Sequence, residues 1–140
     1  MRILGLDVGT VRVGVALSDE LGLTAQPLTV VSLRHEESGF RELVRLAETY
    51  QVEEIVCGLP INMNGTIGSS AERVRAFIEK LGALVRVPIQ EWDERLTTAQ
   101  AERVLIEGGV RREKRKEVVD KVAAVLILQG FLDWRRNRKA

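Results

Sequence analysis

The sequence predicts an α/β fold, a mixed five-stranded sheet with helices on both faces. Three observations lead there. The chain opens on apolar runs separated by turn signals, which read as an antiparallel meander of three strands. It continues with apolar strand-like runs alternating with segments of helical periodicity. It closes on a long stretch whose apolar residues again recur at helical spacing.

Residues 2–8 and 11–18 read as the first two strands, joined at Gly9-Thr10 by a tight turn. Asp19-Glu20-Leu21-Gly22 is a turn, and residues 28–33 (LTVVSL) form the third strand. Phe40, Leu43, Val44 and Ala47 share one helical face, giving a first helix of about three turns. Residues 54–58 are almost continuously apolar, as expected of a strand covered on both faces. Residues 59–70 (LPINMNGTIGSS) are a loop by their Pro, Asn and Gly content, and so long a connector in a compact chain is often functional. Ser69 and Glu72 have capping-box spacing and open a second helix, with Val74, Ile78 and Leu81 inward and Gly82 at its end. Residues 85–92 make the fifth strand, interrupted by Pro88. Thr97 and Gln100 form another capping box, starting a helix with Ala101, Val104 and Leu105 inward that stops at Gly108-Gly109. A last helix is expected from about Lys116 to Trp134, with a frayed tail. No repeat or linker interrupts the chain, so residues 1–140 are expected to form one domain.

Composition narrows the function. With 45% hydrophobic and 29% charged residues, the chain has the balance of a soluble globular protein. A net charge of +1 means that affinity for nucleic acid must come from local clustering. The single Cys57 excludes a disulfide framework and a Cys-rich zinc site, and the single His35 excludes chemistry that needs two histidines. The longest apolar run, residues 122–128, is far too short to span a bilayer, and the first residues enter a strand at once. A cytoplasmic location without membrane contact is the expectation.

Charge in apolar surroundings marks the candidate site. Asp7 interrupts the apolar run ILGLDV next to a glycine turn; it either caps that turn or serves a cation or phosphate site. Counting from Asp120, positions 123, 124, 127, 128 and 131 are Ala, Ala, Ile, Leu and Phe, so Asp120 lies on the stripe that packs inward. It needs a partner there, and Lys116 at i−4 is the simplest one. Asp93-Glu94 follows the fifth strand and reaches the same sheet edge as Asp7. Carboxylates that converge repel unless a cation lies between them, and an oxygen-only donor set selects Mg²⁺ or Mn²⁺. Such ions suit phosphodiester hydrolysis. Just before Asp120, Arg111, Arg112, Lys114, Arg115 and Lys116 could hold a phosphate backbone, and Asn62, Asn64 and Thr66 could bond phosphate or sugar oxygens. At 4% of the chain, aromatic residues are too few for a base-stacking single-strand binder.

Four blocks, LGLDVGTVRVGVALSD, GLPINMNGTIGSSAERVRAFIEKL, DERLTTAQAERVL and GGVRREKRKEVVDKVAAVLILQGFLD, together resemble the YqgF (RuvX) family over essentially the whole chain. The resemblance implies an RNase H-like sheet, with strands four and five parallel to strand one. It also implies a nuclease that matures the 5′ end of pre-16S ribosomal RNA. Holliday-junction resolution, by likeness to RuvC, is the alternative activity, and a non-catalytic ribosome-assembly factor that binds RNA is the third reading. Carried over, Asp7 and Asp120 are metal ligands and the third comes from Asp93 or Glu94, with Glu94 taken beside the other two as catalytic. Thr10, Arg12, Asn62, Asn64, Arg95 and the 111–116 cluster are the expected contacts to nucleic acid. The chain departs from the family at Val11, where many relatives carry a basic residue, and it has Gly58-Leu59-Pro60 where RuvC-like proteins place an acid. The expected partners are structured RNA, branched DNA and a ribosomal precursor particle, with no oligomeric state legible.

Overall fold

A computed structural model describes residues 1–96 and 112–139, with side chains in the second segment from 120 to 138. Five strands, β1 (Ile3–Val8), β2 (Arg12–Ser18), β3 (Ala25–Ser32), β4 (Glu54–Leu59) and β5 (Ile89–Asp93), form one sheet in the order β3-β2-β1-β4-β5. β1, β2 and β3 pair antiparallel, whereas β4 lies parallel to β1 and β5 parallel to β4. The expected meander and mixed sheet are therefore both present. Being central, β1 is buried along its whole length, which is why its sequence is apolar on both faces.

The alternation along each strand divides the core in two. Leu4, Leu6, Val13, Val15, Ile55 and Cys57 point to the face covered by α1 (Glu36–Thr49) and α2 (Ser69–Gly82). Ile3, Ala16, Val56 and Trp92 point to the other, where Ala124, Ile127, Leu128, Phe131 and Leu132 of α3 (Arg112–Lys139) cover them. The inward stripe read from Asp120 onward is thus the packing face of α3. Burial also pushes the Cys57 thiol up, which keeps it protonated and inert.

Boundaries differ from expectation where backbone chemistry overrides pattern. β5 begins at Ile89 rather than Val85, because Pro88 has no N–H to give a ladder. β3 starts three residues earlier than its apolar run, at Ala25, whose N–H donates to Gln129 of α3 at 2.9 Å. The capping box at Ser69 is not formed: Gly68 is the N-cap, Ser69 is already helical, and no side chain caps the turn. The reason lies in the preceding loop, where Asn62 folds back against Gly68, 3.1 Å from where a Cβ would stand. The tail expected to fray is helical to Lys139, held by Arg135 to Glu54 at 2.7 Å and by Arg138 over the Trp134 ring. The helix predicted after Thr97 lies outside the described residues, as does Arg111. Among the described residues, no helix is long and apolar enough to cross a membrane.

Candidate active site

Because β1, β4 and β5 run the same way, their carboxyl ends share one edge of the sheet. Asp7 is the next-to-last residue of β1 and only 7% exposed. It stands opposite Gly14 of β2. Continuing the register in which Leu6 pairs with Cys57, its neighbour on β4 is Gly58. Directly paired residues share a face, and on this face both neighbours of Asp7 lack a side chain.

What fills the space over those glycines comes from elsewhere in the chain. A Cβ on Gly14 would stand 2.1 Å from the backbone oxygen of Asp120 and 3.1 Å from its Cβ. A Cβ on Gly58 would stand 3.1 Å from Cγ of Glu94 and 2.5 Å from Cδ1 of Ile127. Asp120 thus lies above one neighbour of Asp7 and Glu94 above the other, all on the α3 side of the sheet. Glu94 opens a short 3-10 turn, Glu94–Leu96, and is 6% exposed.

Asp93 goes elsewhere. It pairs with Leu59 on the α1/α2 side and is bonded by Arg95, Nη2 to Oδ2 at 2.7 Å and the backbone N–H to Oδ1 at 2.9 Å. Arg95 holds the Asp93 carboxyl below the ordinary carboxylate range, the side-chain bond outweighing the burial that opposes it. The two adjacent acids that sequence alone left as alternatives therefore occupy different surroundings.

Asp120 has a partner that helical spacing did not suggest. Arg12 Nε donates to its Oδ2 at 2.9 Å, from a position 108 residues earlier. Arg12 lies two residues from Gly14 on β2 and hence on the same face. Among the described residues, no three Asp, Glu, His or Cys side chains are gathered closely enough to form a ready-made metal cage. The acids are aligned along an edge, with Asp120 turned to Arg12.

The remaining candidates flank this edge. Thr10 is exposed in the β1–β2 turn, which Gly9 closes by donating its N–H to Arg12 O at 2.8 Å. Asn62 and Asn64 serve their own loop: Asn62 Nδ2 donates to Thr66 Oγ1 at 3.0 Å, and Thr66 N–H donates to Asn64 Oδ1 at 3.1 Å. That loop reaches the edge, since a Cβ on Gly65 would stand 3.6 Å from Arg95 Nη1. Arg112, Lys114, Arg115 and Lys116 belong to the first turns of α3, their side chains outside the described part. Sequence reasoning missed Gly14 and Gly58 as the residues that clear the site. The signal was there, because a lone glycine inside a strand marks a close approach by another group.

RuvC of T. thermophilus in complex with a Holliday junction substrate matches with a TM-score of 0.58 at 14% identity, over 97% of this chain and 96% of that one. The fowlpox virus Holliday junction resolvase matches at 0.56 and 14%, over 96% and 99%. At such identities the likeness speaks for the fold, which is RNase H-like. A protein of Clostridium acetobutylicum provisionally named pre-16S rRNA nuclease is 55% identical over 133 residues, 95% of this chain and 98% of its own. One of Bacillus thuringiensis with the same provisional name is 55% identical over 135 residues, 95% and 98% of the two chains. Fold and relatives together define a nuclease of the RNase H-like class. Residues 1–134 match the RuvX family, described as Holliday junction resolvase, and the chain belongs to that family.

Proposed function

We propose that this chain is a divalent-cation-dependent nuclease that hydrolyses phosphodiester bonds in structured RNA, with the 5′ end of pre-16S rRNA in a ribosomal precursor particle as its substrate. The observation that carries this reading is the placement of Asp7 between two glycines overhung by Asp120 and Glu94. An all-carboxylate set with no imidazole or thiolate suits a hard cation, and the two glycines let Asp120 and Glu94 approach the row that holds Asp7. Asp7, Glu94 and Asp120 would hold Mg²⁺ or Mn²⁺, with Asp93 reserved by Arg95. A divalent cation held by these carboxylates would supply Lewis-acid chemistry, acidifying a water and offsetting charge on the phosphate oxygens.

The chain's own residues do the rest. Burial of Asp7 and Glu94 keeps their carboxylates in a low-dielectric edge where interactions with a cation are strong. Arg12, Arg95 and the basic residues 111–116 would neutralise the phosphate backbone on either side of the cut, and Thr10, Asn62 and Asn64 would border the strand. The provisional names of relatives that are 55% identical support RNA as substrate.

A four-way DNA junction is the second reading, favoured by the resolvase activity ascribed to the RuvX family and by the fold shared with RuvC bound to a Holliday junction. Two symmetric cuts would need two paired sites, hence a dimer. End-labelled pre-16S RNA and a DNA junction, each incubated with Mg²⁺, Mn²⁺ or EDTA, separate the two. Cutting of RNA alone, lost in EDTA and at least 100-fold slower with Asp7→Asn, is the expected result (loss of one electrostatic stabiliser is worth roughly that much). Cutting of the junction alone moves the activity to recombination, and RNA binding without any cleavage makes the chain an assembly factor.

A further inference from the structure

Arg12 has two claims on it: the α3 carboxylate that it bonds now and the phosphate that the proposed site would bring. We infer that Arg12 is an exchangeable counterion, holding Asp120 in the cation-free protein and passing to a substrate phosphate once a divalent cation takes that carboxylate. This rests on Asp7, Glu94 and Asp120 being the cation ligands.

The pair is built for exchange. Arg12 Nε lies 2.9 Å from Asp120 Oδ2, with the two side chains 32% and 19% exposed. That is dry enough to bias the carboxylate and wet enough to be given up. Asp120 itself has little freedom to retreat, because its backbone oxygen is seated directly on Gly14. The mobile member is the guanidinium. Among the described residues its partner is Asp120, bonded through Nε, and the two terminal NH₂ groups form a planar fork of the kind that matches phosphate. An oxygen that already accepts an Arg N–H is a poor ligand. A divalent ion on the other oxygen of Asp120 would stand within about 5 Å of the guanidinium, where like charges repel. Cation binding therefore costs the Arg12–Asp120 pair, and the released guanidinium, on the same face as Gly14 and Asp7, is free to meet a substrate phosphate arriving at that edge. Cation and nucleic acid then bind with positive and reciprocal coupling.

Mn²⁺ binding to the full chain, measured calorimetrically without nucleic acid, tests this. Arg12→Gln should bind Mn²⁺ about five-fold tighter than the wild type, the worth of a partly exposed ion pair. Arg12→Met serves instead where Arg12→Gln melts early. In an Asp120→Asn background the same substitution should give no gain, which separates exchange at Asp120 from the mere removal of a nearby positive charge. Mn²⁺ should raise the affinity of wild-type protein for a labelled RNA hairpin, read by anisotropy before appreciable cleavage, and should raise it less in Arg12→Gln. Equal or weaker Mn²⁺ binding by Arg12→Gln, or a gain that persists with Asp120→Asn, overturns the exchange while leaving the nuclease reading intact. If neither wild type nor variant binds Mn²⁺, the cation site falls and the exchange with it.

Discussion

At the scale of single residues, Asp93 and Glu94 show how one step along the chain changes a carboxylate's task. Asp93 is spent on Arg95, and its carboxyl titrates below the usual range because of that bond. A group whose folded pKa is depressed stabilises the fold above its unfolded pKa, and the contribution is lost as pH falls through the folded value. Arg95→Gln should therefore lower stability near neutral pH, with the difference from wild type closing as pH drops below the carboxylate range. Denaturant melts at pH 7 and pH 3 would check this, and a difference that grows in acid would refute it. Asp7 and Asp120 were legible in the sequence because each interrupts an apolar pattern of known period. The Arg12–Asp120 pair was not, since its partners are 108 residues apart and Lys116 offered a local alternative that periodicity could not reject. Glu94 could not be told from Asp93 until the fold paired Asp93 with Leu59 and set Glu94 over Gly58.

At the scale of elements, the end of α1 carries backbone strain. Gln51 has φ +51°, the left-handed region that favours glycine. It closes a Schellman motif in which the N–H of Val52 reaches Ala47 O at 2.9 Å and that of Gln51 reaches Glu48 O at 3.1 Å. Gln51→Gly should stabilise the protein by about 1 kcal/mol, the usual cost of a side chain in that conformation, measurable as a raised denaturation midpoint. Most of this architecture could be read in advance, because strands and helices that bury one stripe leave a period in the sequence. The unreadable parts were ends: β5 shortened by Pro88, β3 extended back to Ala25, whose N–H donates to Gln129, α2 capped by Gly68 instead of Ser69. Each depends on a group that local pattern does not contain.

At the scale of the whole molecule, the last turns of α3 are tied to the start of β4. Arg135 makes a bidentate pair with Glu54, at 2.7 and 2.8 Å, and its guanidinium lies 4.5 Å from the Phe131 ring centroid. Glu54 is 6% exposed, so Arg135→Ala would strand a buried charge at a cost of about 3 kcal/mol. Thermal or chaotrope melts should register that loss, and a neutral outcome would mean that Glu54 takes up a proton or reaches water. The same helix has a consequence for timing. α3 covers one face of the sheet and also brings Asp120 over the neighbour of Asp7, so a single element that follows all five strands completes both the core and the proposed catalytic edge. A nascent chain on the ribosome, still lacking α3, holds Asp7 but has no assembled site. The proposed edge therefore forms only after α3 has been synthesised and has docked on the sheet.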